Sequence, residues 1–140
     1  MARIVAYLAF DGNCREAMEF YRACLGGELR LMTAGETPMG SQMPPEQRDK
    51  IMHAELRLGD ILLMASDNLQ SPGSGVTVGD AVFLMLACES EGEIKAYFEA
   101  LSKGGKVSQA LGKQFWGATY GDLTDKFGLR WMLNWEPPKT

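Results

Sequence analysis

One feature constrains this chain more than any other: its second half repeats its first. Phe20-Tyr21-Arg22-Ala23 lies over Tyr97-Phe98-Glu99-Ala100 at an offset of 77, and Gly26-Gly27-Glu28-Leu29 lies over Gly104-Gly105-Lys106-Val107 at an offset of 78. One inserted residue accounts for the difference. A chain that duplicates a unit of this size must bury the apolar face of each copy in the same way, so whatever the first half folds into, the second must also adopt.

The unit can be read residue by residue. Residues 4–10, IVAYLAF, are apolar, β-branched and aromatic and end at Asp11-Gly12, which predicts a strand. Asn13 is a good helix N-cap with Glu16 three residues on, and Ala17, Phe20, Tyr21 and Cys24 then recur at helical spacing until Gly26-Gly27 stops them. Glu28 to Thr33 alternates as a strand. From Gly35 to Asp49 the chain is rich in Gly, Pro, Met and polar residues and reads as a long loop, of the length that functional or mobile segments have. KIMHAELRL (50–58) and DILLMAS (60–66), joined at Gly59-Asp60, predict a β-hairpin. A linker, Ser71 to Gly79 with Pro72, Gly73 and Gly75, then separates the halves. The second copy follows with a strand at Ala81–Cys88, a helix at Glu91–Ser102 carrying Ile94, Tyr97, Phe98 and Leu101 on one face, and strands near Val107–Ala110, Gln114–Tyr120 and Leu129–Trp135. The expected architecture is α+β: one domain over 1–140, built from two βαβββ modules at about 1–70 and 80–136 with the linker 71–79 between them.

Size and charge narrow the function. At 140 residues the chain can bury roughly 70% of its unfolded surface, so it needs neither disulfides nor structural zinc to hold a core. Its three cysteines, Cys14, Cys24 and Cys88, are odd in number and lack CxxC spacing, which points to reduced thiols in a cytoplasmic protein. A net charge of -4 is the wrong sign for a nucleic-acid partner. Every apolar run is too short to span a bilayer, and the first ten residues lack the form of a secretory signal.

The duplicated pattern resembles the vicinal oxygen chelate superfamily, the fold of glyoxalase I, bleomycin-resistance proteins and extradiol dioxygenases. The strings YLAFDGNCREAMEFY at 7–21, KIMHAELRLGD at 50–60 and FWGATYGDLTDKFGLRWMLN at 115–134 look like its PhnB-like branch, also labelled a 3-demethylubiquinone methyltransferase-type domain. The resemblance implies two curved mixed sheets around a concave cavity, a small-molecule ligand and a homodimer. Methyl transfer finds no support in the residues, because the first strand-to-helix turn is Asp11-Gly12-Asn13 with no GxGxxG.

In metal-dependent members, His, Glu or Gln side chains on the concave face hold a divalent ion. Carried onto this chain, the first ligand falls within Ile4–Leu8, where only Tyr7 is a donor, and its counterpart strand Ala81–Leu86 has none. Counting from the turn glycines, the later ligand lands on Met132 after Gly128 and on Leu63 after Gly59. The resemblance therefore implies no resident metal and no cofactor at that place, although a divalent ion at a non-standard site near His53 stays open.

Candidate site residues follow from alternation and residue type. In the strand 51–58, Met52, Ala54, Leu56 and Leu58 face one side and His53, Glu55 and Arg57 the other. His53 is then a candidate general base or donor oriented by Glu55, or else part of a half-exposed polar strand face. Trp116 and Tyr120 can stack on a planar ligand or belong to the core, and Arg130 and Met132 share a strand face pointing to the same place. The favoured reading is a metal-free binding protein with an apolar, aromatic-lined cavity, with Tyr7, Arg57, Trp116, Tyr120, Arg130 and Met132 as ligand-binding residues. The alternative is an enzyme acting on a small polar metabolite through His53 and Glu55. Cys14 reads as a capped-turn side chain, the Met-rich loop (Met32, Met39, Met43) as a lid or dimer contact, and Asp122 and Asp125 as turn-formers.

Overall fold

A computed structural model describes residues 1–38, 40–69, 73 and 75–138. The chain forms two compact units, Met1–Thr77 and Val78–Thr140. Of the segment 71–79 read as a linker, Ser71, Pro72 and Ser74, like Met39 of the Met-rich loop, lie outside the described residues.

The first unit runs β1 (Ala6–Phe10), α1 (Cys14–Leu25), β2 (Glu28–Thr33), a short helix α2 (Pro45–Arg48), β3 (Ile51–Leu58) and β4 (Ile61–Asp67). The second runs β5 (Leu84–Cys88), α3 (Glu91–Ser102), β6 (Lys106–Lys113), β7 (Thr119–Thr124) and β8 (Arg130–Trp135). Each forms a four-stranded mixed sheet, in the orders β1-β4-β3-β2 and β5-β8-β7-β6, in which β1 and β5 lie parallel to their neighbours and the remaining pairs are antiparallel. The α+β architecture of two βαβββ modules is thus present, and the repeat offsets reappear as geometry. The strands β1 and β5 begin 78 residues apart and the helices α1 and α3 begin 77 apart (84 − 6 and 91 − 14).

The helices stop where the repeated Gly-Gly pairs stand, for a steric reason. A Cβ on Gly27 would collide with the Arg57 carbonyl, and one on Gly105 with the Thr124 carbonyl, so the chain can turn back against its own hairpin only with glycine there. Each helix packs one face on its sheet: Cys14, Ala17, Met18, Tyr21 and Leu25 in α1, and Ile94, Phe98 and Leu101 in α3 are buried. Compared with the spacing read from sequence, Met18 and Leu25 replace Phe20 and Cys24 on the buried stripe of α1.

Four local expectations are corrected. Asn13 precedes α1 but its side chain makes no capping hydrogen bond; the Asp67 carboxylate, at the end of β4, accepts the Gly12 and Cys14 amides at 2.9 and 3.0 Å instead. The segment expected to be an irregular loop at 35–49 contains 3-10 turns at Ala34–Glu36 and Gly40–Gln42, then α2 with Pro45 at its start. Arg48 knits it together by donating to the Gly40 and Met43 carbonyls at 3.1 and 3.2 Å. The strand expected at Gln114–Tyr120 starts only at Thr119, because Gln114 and Ala118 close a turn around Gly117, whose φ of +99° is open to glycine at no cost. Finally, β2 and β3 slip register between Met32 and Thr33, leaving Met52 as the extra residue of a β-bulge. Ile51 takes the buried position, and Met52, expected among the packed apolar row, is 46% exposed on the opposite face.

Candidate functional site

The face of the first sheet turned away from α1 carries the site residues. Register places Tyr7 beside Met64, Met64 beside Glu55 and Glu55 beside Arg30 in one transverse row. Ala9 lies beside Ser66 in the next row, and His53 lies beside Met32. Tyr7, His53, Glu55 and Arg57, drawn from two strands, are brought into one hydrogen-bonded chain. Tyr7 Oη lies 3.1 Å from His53 Nδ1, His53 Nε2 lies 3.0 Å from Glu55 Oε1, and Arg57 Nε donates to Glu55 Oε2 at 3.1 Å.

The protonation logic of this chain is fixed by Glu55. An ionised carboxylate only accepts, so His53 Nε2 carries a proton toward it, and a neutral imidazole then has a lone pair on Nδ1 that accepts the Tyr7 hydroxyl proton. The hydrogen bond from His53, and then that from Arg57, hold the Glu55 carboxyl below its usual range.

Next to this chain opens a cleft of about 850 Å³, within the range typical of small-molecule sites. Ala9, Met43, Met52, Leu69 and Val76 form its apolar walls, and the bulge that turns Met52 outward is what supplies one of them. Asp67 reaches the wall, but its oxygens are taken by the amides of Gly12, Cys14 and Ile51. No described residue lining this cleft is aromatic, in contrast to the aromatic lining expected from the sequence. Of the rings expected to line a cavity, Tyr7 stands beside this cleft in β1, and Trp116 and Tyr120 belong to the second unit.

Trp116 is 54% exposed at the β6–β7 turn, in edge-to-face contact with Phe115, and lines a separate groove in the second unit with Lys113 and Pro137. Tyr120, on the open face of β7, donates to Asp122 at 3.0 Å, and burial and this carboxylate raise its pKa. Arg130 donates to the Asp80 carbonyl and stacks 4.1 Å above the Phe83 ring. Trp131 is buried, with its indole N–H on Asp125 at 2.8 Å, while the other Asp125 oxygen accepts the Phe127 and Leu129 amides and so shapes the turn as expected. Cys14 is fully buried, and desolvation followed by the Asp67 charge pushes its thiol up to about 12, the reverse of helix-terminus activation.

Register also corrects the ligand carry-over. Tyr7 pairs with Met64 as Met85 pairs with Met132, so Met64, not Leu63, is the counterpart of Met132; Leu63 is buried on the helix-packed face, where Trp131 is its equivalent. Counting from the turn glycines failed because β4 and β8 both start two residues after their glycine, yet Met64 is the fourth residue of β4 and Met132 the third of β8. The positions assigned to metal ligands thus hold Tyr7, Met64, Met85 and Met132, a phenol and three thioethers, which do not fit a hard or borderline divalent cation. Among the described residues, no three His, Cys, Asp or Glu side chains come together as a metal-holding group.

Paired βαβββ units with an open sheet face define the class, the glyoxalase/bleomycin-resistance fold. Solved members so described superpose at TM-scores of 0.60 to 0.63 with 13 to 16% identity, which is likeness of fold alone. Within that fold, the chain belongs to the family described as 3-demethylubiquinone-9 3-methyltransferase, whose model matches residues 2–134. The crystal structure of protein PA1353 from Pseudomonas aeruginosa is 42% identical, with a TM-score of 0.83 over 97% of this chain and 98% of that one. The PhnB protein from Bacillus cereus is 26% identical, with a TM-score of 0.73 over 96% and 99%. Protein YjdN of Escherichia coli is 34% identical over 91% of each chain. No described helix is long and apolar enough to cross a membrane.

Proposed function

We propose that this protein binds a small, largely apolar molecule in the first-unit cleft without a metal, with the Tyr7–His53–Glu55–Arg57 chain as its polar end. The observation that carries this reading is the adjacency of the two parts. Ala9 follows Tyr7 by two residues on the same strand face, about 6.6 Å, and Met52 precedes His53 directly. Binding is favoured over general-base catalysis because both ring nitrogens of His53 are engaged, so a substrate proton reaches the imidazole only if Tyr7 leaves it. Methyl transfer, the activity in the family's description, forms no part of this reading.

Titration with Nile red, an uncharged apolar dye, tests it. Its emission is expected to rise and shift to the blue, to be displaced by 1-octanol, and to weaken at least about fivefold in Ala9→Leu, which fills the cleft from an exposed wall position. Emission unchanged by the protein, or unaffected by Ala9→Leu, would overturn the proposal. The reading also includes a homodimer, for which sedimentation velocity should give twice the 15.4 kDa chain mass.

A further inference from the structure

We propose that the ligand is an amphipathic weak acid, bound as its anion with the tail in the cleft and the head on the Tyr7 hydroxyl, and that binding takes up one proton at His53. This inference rests on the cleft reading above and adds the chemistry of the head group.

With His53 neutral, the Tyr7 hydroxyl proton is committed to Nδ1, so Tyr7 offers an incoming ligand only acceptor lone pairs, which repel an anion. Protonation places N–H on both ring nitrogens. Nε2–H stays on Glu55, Nδ1–H now points at the Tyr7 oxygen, and the hydroxyl hydrogen is released to donate to a carboxylate. The charge changes in the same direction. Arg57 and Glu55 cancel while His53 is neutral, and the group becomes net positive when it is protonated. Each proton is accounted for: one enters from solvent, none leaves, and the bound anion accepts the hydroxyl hydrogen bond without losing or gaining a proton itself.

The surroundings leave this balance intact. From β2 the charged residues on this face are Glu28 and Arg30, which pair with each other at 3.2 Å, and Met32 stands opposite His53. From β4 the neighbour of Tyr7 and Glu55 is the uncharged Met64. Among the described residues of the cleft wall the one carboxylate, Asp67, is held by three backbone amides. Among the described groups on this face, His53 is thus the one that can take up a further proton, at Nδ1, while keeping its bond to Glu55. Tyr7 is 53% exposed, so its hydroxyl can meet a head group without opening the core.

Calorimetric titration with octanoate and with 1-octanol, at about pH 5.5 and about pH 8, decides it. Octanoate, mostly ionised at both, is expected to bind about tenfold tighter at the lower pH, with a heat at intermediate pH that depends on buffer ionisation, as net uptake of a fraction of a proton, about 0.4 on average, requires. The neutral alcohol should bind equally at both. Tyr7→Phe and His53→Asn should each abolish the pH-dependent gain for octanoate, and thermal unfolding of each variant establishes that it is folded. Octanoate binding that is independent of pH, or a gain that survives in either folded variant, would refute the proton linkage while leaving the cleft in place. Binding of neither probe would overturn the cleft reading and this inference together.

Discussion

The side chain of Asp67 and the backbone amide of Cys14 lie 3.0 Å apart, joining the end of β4 to the first turn of α1 across 53 residues of sequence. The same carboxylate takes the Gly12 amide at 2.9 Å and the Ile51 amide at 2.8 Å, so one buried side chain fastens three segments that border the cleft. It also does for α1 what its own N-terminal residue, Asn13, does not.

Asp67→Asn should therefore be strongly destabilising, by about 2–4 kcal/mol, because one acceptor oxygen becomes an amide donor facing buried N–H groups. Urea unfolding of the variant against the parent measures this.

Trp131→Phe should cost about 1–3 kcal/mol by removing the indole donor from buried Asp125, whereas Phe115→Ser, at a fully solvated turn position, should change stability by less than about 0.5 kcal/mol. Thermal melts of the two variants should separate them clearly.

Cys14 should resist iodoacetamide at about pH 8 in the folded protein and react once the chain is unfolded in guanidinium, since its thiol titrates near 12 and is fully buried. Peptide mass mapping of the alkylated protein reads the outcome; rapid labelling of folded Cys14 would contradict its placement.

Glu55 sets an acid limb. Its folded-state pKa is lowered from the ordinary 4.5, so the stability it contributes is fully present above that value and is lost as pH falls through the lower folded value. Parent protein should consequently lose more stability than Glu55→Gln over that acid window, and the two melting curves should converge at its lower end. A pH-independent gap between them would contradict the coupling to His53 and Arg57.

Much of the fold was legible because it is written in local patterns. The Gly-Gly pairs that end both helices, the alternation of β3 and the Gly59 turn each act within a few residues, and α3 occupies the span its spacing predicts. His53, Glu55 and Arg57 were recognisable as one polar row for the same reason, since period two along a strand is a property of the strand alone. Tyr7 is singled out by the sequence as a possible donor and a ligand-binding residue, but nothing in its neighbourhood announces the hydroxyl bond to His53, 46 residues away.

What the sequence by itself determined is therefore the duplication, the order of elements and the chemical character of each strand face. Tertiary structure alone decided how those strands register. The bulge that turns Met52 into the cleft wall, the pairing that makes Met64 rather than Leu63 the counterpart of Met132, and the convergence of three amides on Asp67 all depend on distant segments meeting. The physical reason is that a one-residue slip in pairing moves a side chain to the other face of the sheet without altering any local propensity, so no local pattern can report it.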